Sequence, residues 1–251
     1  MNQNNTIKVL DHGFVTLRNL AGPTRRTSDF FAGGESYGTE RPFDADDTDP
    51  ANSARMSFNA SDLSRTYETE MKLNRYLLTN KHMTPFESIE VWLEMKLPIF
   101  VARQFVRHRT FSLNEVSGRY VTLPAEWYIP EIVGAAPKDK KQGQSEGLDP
   151  DVAASFKALL DRHCTEGYQT YTDAISKGVA PEHARLLLSL NHYTHWTMKA
   201  NLRNIFHFLA LRDHSHAQLE AQTYAKAVAE LLEPNIPGLM ALYRDIVRGA
   251  K

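Results

Sequence analysis

Between Arg103 and Tyr120, four arginines, one histidine, two serines and one carboxylate crowd around a single glycine. The run reads Arg103-Gln104-Phe-Val-Arg107-His108-Arg109-Thr-Phe-Ser112-Leu-Asn114-Glu115-Val-Ser117-Gly118-Arg119-Tyr120. A guanidinium is planar, permanently charged and forked, so a cluster this dense either faces solvent or meets a bidentate anion such as phosphate. Ser117, Gly118 and Arg119 set a hydroxyl, an approachable backbone and a guanidinium side by side, which suits phosphate. An ordinary turn is the bland alternative there. A second polar group, Asn201, Arg203, His207 and Arg212, stands among Leu202, Ile205, Phe206, Phe208, Leu209 and Leu211. Arg203 and His207 share one helical face. An unpaired buried charge is costly, so these side chains need partners, either acids such as Glu182 and Glu220 or a bound ligand. Two Arg-rich patches joined by apolar scaffolding point to a site for more than one anionic ligand.

The elements around them follow from periodicity. Val91, Leu93, Met95 and Leu97 alternate with Glu90, Glu94 and Lys96, the period of a half-buried strand. Pro98 then opens an apolar helix as its first residue, with Arg103 and Arg107 on one face of it, and Gln104 and His108 on another. Ile7–Leu10 and Phe14–Leu17 flank Asp11-His12-Gly13 as a hairpin. The segment 21–53, rich in Gly, Pro, Asp and Thr, reads as a surface loop insertion, with a mobile flap as one reading of it. Asn59 or Ser61 is expected to cap a helix carrying Leu63, Tyr67, Met71 and Leu78, and Pro85 breaks the chain after it. Tyr120–Leu123 reads as a short strand and 135–149 as a loop. Asp149-Pro150 starts a long helix that Gly178 can end. Further helices are expected from Pro181 through Leu190, from Met198 to Leu211 and from Ala217 to Leu232.

Composition bounds the class. The chain has 251 residues, 42% hydrophobic, with no apolar run long enough to cross a bilayer, so a single α+β domain over 1–251 is expected. No charged leader followed by an apolar stretch opens it, and a cytoplasmic location is the default expectation. A net charge of −1 makes any basic site local and weighs against a nucleic-acid binder. Cys164 is the only cysteine, which excludes an internal disulfide and a multi-cysteine zinc site. No metal-ligand spacing, Gly-x-Gly-x-x-Gly or Walker-type loop is present. Cys164 shares a helical face with Phe156, Leu160, Tyr168 and Tyr171 and reads as a small buried hydrophobe.

Arg107-His108-Arg109, followed after seven residues by Ser117, resembles the signature of the flavin-dependent thymidylate synthases, the ThyX family. Ala54-Arg55-Met56-Ser57, His82-Met-Thr84-Pro85-Phe86-Glu87, and Asn201-Leu-Arg203 through His216-Ala217-Gln218 resemble the family's other elements. Ser88 stands where the family often carries His, and His207 where some members carry Asn. The resemblance implies the family's α+β fold, a mixed or antiparallel sheet packed with long helices, in a homotetramer with sites built between subunits. It implies FAD held by Ser57, His82, Thr84, Arg107, His108, Arg109, Glu115, Asn201, Arg203 and His207. It implies dUMP held by Gln104, Arg107, Glu115, Ser117, Gly118, Arg119 and Arg185, with Arg212 against the uracil as the catalytic group. It further implies NADPH and 5,10-methylenetetrahydrofolate as co-substrates, with no metal and no membrane contact. Against this stand a basic-patch nucleic-acid binder and a flavin enzyme of another substrate.

Overall fold

The computed structural model describes residues 5–23, 45–58, 65–137 and 148–249. The expected hairpin forms, as β1 (Thr6–Val9) and β2 (Gly13–Ala21) pair antiparallel. Residues 24–44 of the segment expected as a surface loop lie outside the described residues. Its last part is not surface loop: α1 (Asp49–Arg55) starts at Thr48-Asp49-Pro50, and Asp49 and Ala51 are fully buried. A 3₁₀ turn at Met56–Phe58 follows.

What fixes this segment is Asp47. Its carboxylate accepts hydrogen bonds from Tyr67 Oη (2.8 Å) and from the backbone N–H groups of Gly238 (2.9 Å) and Leu239 (2.8 Å). It thereby caps a distant helix, where free N–H groups and a positive dipole end favour an anion. Asp47→Ala is expected to destabilise the fold by about 3 kcal/mol, since three charge-assisted bonds, one of them to a buried donor, are lost together, and urea unfolding reads the loss.

The next helix, α2 (Tyr67–Thr79), is capped by Thr66, whose hydroxyl accepts from Thr69 N. Asn59, Ser61 and Leu63, where the start was expected, lie outside the described residues. A 3₁₀ turn at Thr84–Ser88 leads into β3 (Glu90–Pro98), where Val91, Leu93, Met95 and Leu97 are all fully buried as their alternation required. Pro98 ends that strand and precedes α3 (Ile99–Phe105) without lying inside it. Because α3 stops at Phe105, Arg107 and His108 sit in the turn beyond its end. β4 is the short, polar Ser112–Glu115, and Tyr120–Leu123 is not a strand.

α4 (Pro150–Ser176) is capped by the Asp149 carboxylate on Asp151 N and Val152 N, and Gly178 closes it at φ +86°. The expected helix from Pro181 is only one turn, α5 (Pro181–Ala184), plus a 3₁₀ turn at Arg185–Leu187. The expected helix over Met198–Leu211 divides in two. Tyr193–Asn201 is β5, and α6 (Leu202–Arg212) begins where the Asn201 side chain accepts from Asn204 N at 3.0 Å. α7 (Leu219–Leu232) and α8 (Pro237–Leu242), extended by a π turn at Tyr243–Arg248, complete the chain.

The five strands form one antiparallel sheet in the order β1-β2-β3-β5-β4. One face, lined by β3 and by Trp196, Met198 and Ala200 of β5, is covered by α6 and α7. Phe105 of α3 locks in between, with its ring edge-on to Phe208 at 4.9 Å. Burial of aromatic area in this geometry fixes α3 against α6, and so fixes the two Arg-rich patches relative to each other. No helix among the described residues is long and apolar enough to cross a membrane.

Candidate active site

α3 and α6 meet at a cleft of about 930 Å³ whose wall includes Arg103, Gln104 and Arg107 on one side and Arg212 on the other. The loop joining α6 to α7 supplies Ser215, His216, Ala217 and Gln218, and α7 adds Leu219 and Gln222. Gln222 Nε2 donates to Ala217 O (2.8 Å) and Gln104 Nε2 to Gln218 Oε1 (2.5 Å), so the loop is tied to both walls. The volume is of the size that holds a small organic ligand, for which about 300–1,000 Å³ is usual.

Arg212 is half-buried at the end of α6. Its Nε donates to His108 Nε2 at 3.0 Å and one terminal nitrogen donates to Gln104 O at 2.9 Å. A guanidinium carries five N–H donors, and these two bonds leave three for a ligand. Neither acid weighed at the outset pairs with this group. Arg203 is bound instead to Glu87 in the Thr84–Ser88 turn, and Glu220 accepts from Tyr128 Oη. Among the described residues Arg103, Arg107 and Arg109 have no ion-pair partner, and all three are exposed. His108 differs from its neighbours in being buried, and burial first, then the charges of Arg212 and His207, lower its pKa to about 4. It is neutral at physiological pH.

The remaining candidates fall into two groups outside the cleft wall. Ser117, Gly118, Arg119 and Arg185 gather beyond β4. Gly118 is buried, and a Cβ there would come within 3.1 Å of Leu123 Cδ1 and 3.4 Å of Arg185 Cδ, which places the Arg185 stem against the Ser117–Arg119 turn. Arg119 Nε reaches Glu182 at 3.1 Å, and Ser117 Oγ accepts from Arg119 N at 3.3 Å. Glu115, at the end of β4, accepts from the Thr194 hydroxyl through Oε1. The second group, Thr84, Glu87 and Arg203, forms where α6 packs on the Thr84–Ser88 turn, with Asn201 at its edge. His82 stands edge-on to Tyr76, and Ser57 is exposed in the turn after α1. The expected convergence is therefore partial within one chain: Arg107 and Arg212 share a cleft that neither Arg119 nor Arg185 lines.

Charge patterning left some of the cleft unread. Arg103 was visible as part of the cluster, but Ser215, Leu219 and Gln222 carry no signal of their own, being a helix-linking loop and the first turns of a helix. The donor set fits an anionic cofactor. Among the described residues the guanidiniums of Arg107 and Arg109 have no ion-pair partner, and Asn201 caps α6 through its oxygen, which leaves its amide N–H groups pointing away from that bond.

Cys164 is buried, as expected, but it is not merely a hydrophobe. Its Sγ lies 3.3 Å from Ser189 Oγ and 3.4 Å from Asn191 Oδ1, on α4 and away from the cleft.

The antiparallel sheet packed with helices and the guanidinium-lined cleft define an α+β protein. Residues 42–238 match the family model described as thymidylate synthase complementing protein. Proteins named flavin-dependent thymidylate synthase are similar along nearly the whole chain. The one from Gluconobacter oxydans is 36% identical over 248 residues, covering 97% of this chain and 74% of that protein. The one from Thermus thermophilus is 38% identical over 246 residues, covering 98% and 81%. Among solved structures, a UMP/dUMP methylase PolB from Streptomyces cacaoi bound with 5-Br dUMP shares the fold. Its TM-score is 0.78 at 24% identity, over 96% of this chain and 99% of that one. The chain belongs to the flavin-dependent thymidylate synthase family.

Proposed function

We propose that this protein methylates dUMP to dTMP, with 5,10-methylenetetrahydrofolate as the one-carbon donor, FAD as cofactor and NADPH as reductant. The observation that carries the reading is the fixed guanidinium of Arg212, anchored by His108 and Gln104 in the wall of a ligand-sized cleft with three donors to spare. Against a uracil carbonyl and imide, those donors stabilise negative charge that builds on the carbonyl oxygen and imide nitrogen, which raises electron density at the ring carbon that accepts the methylene. Charge-aimed donors of this kind contribute ~3 to 4 kcal/mol each. Arg119 and Arg185 hold the phosphate, with the Ser117 hydroxyl, the Gly118 backbone, Gln104, Arg107 and Glu115 completing the nucleotide contacts. Ser117 is a binding group, because the only contact of its hydroxyl among the described residues is Arg119 N, and no base stands ready to activate it.

Bound FAD would supply the hydride chemistry, and the chain supplies position and field. Ser57, His82, Thr84, Arg107, His108, Arg109, Asn201, Arg203 and His207, with Glu115 touching both ligands, are the groups that would hold it. The separation of Arg119 and Arg185 from the cleft supports sites completed by a neighbouring subunit in a homotetramer. So does the exposed apolar surface beside them, with Tyr120 80%, Leu186 77% and Leu190 70% exposed. Such patches on a lone chain mark a contact surface. A cytoplasmic location goes with this metabolic role.

The test is spectroscopic and chemical together. The purified protein is expected to be yellow, and dUMP, unlike other nucleotides, is expected to perturb the flavin band. A colourless protein with salt-sensitive oligonucleotide binding would favour the basic-patch alternative instead. The buried position of Cys164, away from the cleft, gives a further expectation. Cys164→Ala should keep dTMP formation within a few-fold of the parent, as measured by product chromatography, because the reading uses no cysteine nucleophile; a folded but dead variant would point to attack by this thiol instead.

A further inference from the structure

We propose that His108 is a positioning residue that sets the orientation of the Arg212 guanidinium and acts on the pyrimidine only through it. This rests on the reading of Arg212 as the polarising group. The contact has a defined chemical sense. Arg212 Nε carries an N–H, so His108 Nε2, 3.0 Å away, must offer its lone pair. The imidazole is then neutral and protonated on Nδ1.

Packing holds the ring in that pose. It is stacked on Phe111 with centroids 5.3 Å apart and planes 17° apart, and edge-on to Phe208 at 5.1 Å. His207 closes the remaining side, edge-on at 5.9 Å. The residue is 8% exposed. A side chain wedged between two phenyl rings cannot follow the arginine, so the arginine must follow it. The Gln104 carbonyl, accepting at 2.9 Å from a terminal nitrogen, is the second anchor. Two anchors fix the plane of a fork that a long flexible stem would otherwise let wander.

The charges around the imidazole keep it an acceptor. Arg212 and His207 face it from α6, while Arg107 and Arg109 flank it in the chain, and no carboxylate among the described residues contacts it. A second proton would remove the acceptor and set two cations against each other.

The experiment compares His108→Phe, which keeps the ring and its packing but lacks an acceptor, with His108→Gln, which restores an acceptor oxygen. For dTMP formation, His108→Phe should lower kcat by about tenfold or more while KM for dUMP moves by less than about threefold. His108→Gln should recover much of the loss. Because His108 is also among the groups that would hold FAD, all these rates are taken per bound flavin. On that basis the double variant His108→Phe with Arg212→Ala should be no slower than Arg212→Ala alone, because both changes remove one function toward the pyrimidine. Multiplying losses, or failure of His108→Gln to recover, would overturn the proposal.

A readout independent of turnover is the titration of His108 followed by NMR in labelled, dUMP-free protein. From a midpoint of about 4, Arg212→Ala should raise it by about one pH unit as the neighbouring charge and the bond are lost. An unmoved midpoint would show that the pair does not form in solution, and would refute the positioning role even if the enzyme proved to be a thymidylate synthase. If the protein made no dTMP, the NMR result alone would decide whether His108 holds Arg212.

Discussion

Arg212→Ala is expected to lower the rate of dTMP formation by about a hundred- to a thousandfold, equivalent to ~3 to 4 kcal/mol of transition-state stabilisation. The size of the effect follows from where the group sits. Arg212 is half-buried at the end of α6, its burial lowers its pKa below the ordinary value, and its backbone and imidazole anchors leave three N–H groups with no partner among the described residues. A charge preorganised in this way is worth far more than a freely hydrated one, because no solvent has to reorient as charge develops on the substrate. The substitution should leave the flavin spectrum and the melting temperature nearly unchanged, since Phe208, Phe105 and the rest of the apolar contact between α3 and α6 remain. Loss of rate with retained colour is thus the expected pattern. Loss of both would mean that Arg212 is chiefly a structural or cofactor-holding group.

The second large effect lies at the other patch. Arg119→Ala should raise KM for dUMP by about ten- to a hundredfold, with a much smaller change in kcat, because a bidentate guanidinium–phosphate contact is made in ground and transition state alike and is worth about 1.5–3 kcal/mol. In the free protein Arg119 leans on Glu182 at 3.1 Å, both side chains about half exposed. Such a pair contributes little to stability, so the variant should fold normally. Steady-state kinetics with dUMP as the varied substrate reads the split. A fall in kcat at unchanged KM would remove Arg119 from phosphate binding.

What could be read in advance, and what could not, follows from local physics. β3 was legible because it is central and covered on one face, so burial imposes strict alternation on Val91, Leu93, Met95 and Leu97. The caps of α4 were legible because Asp149, Pro150 and Gly178 each satisfy a local backbone need. The end of β5, from Met198, was misread as helix because Met198, Leu202, Ile205 and Leu209 fall by chance at helical spacing, and the strand passes into α6 with no turn residue between them, only the capping Asn201. β4 could not be read, since Ser112, Asn114 and Glu115 are exposed on an edge strand whose pairing with β5 is a tertiary fact. Leu186–Leu190 looked like part of a helix, yet Leu186 and Leu190 are among the most exposed apolar side chains of the described residues. Of the site, the guanidiniums were legible by charge and the partners of those guanidiniums were not. Glu87, Glu182 and His108 became partners only through the packing of α6, of α5 and of the turn beyond α3.

The central claim is that fixed positive charge makes a pyrimidine reactive here without attack by a thiol. The most direct measurement is chromatographic detection of dTMP from dUMP by the purified protein, with the folate donor and the reductant added together and then each withheld. The account predicts product only when both are present. A folded, flavin-loaded protein that binds dUMP yet forms no dTMP under those conditions would contradict it.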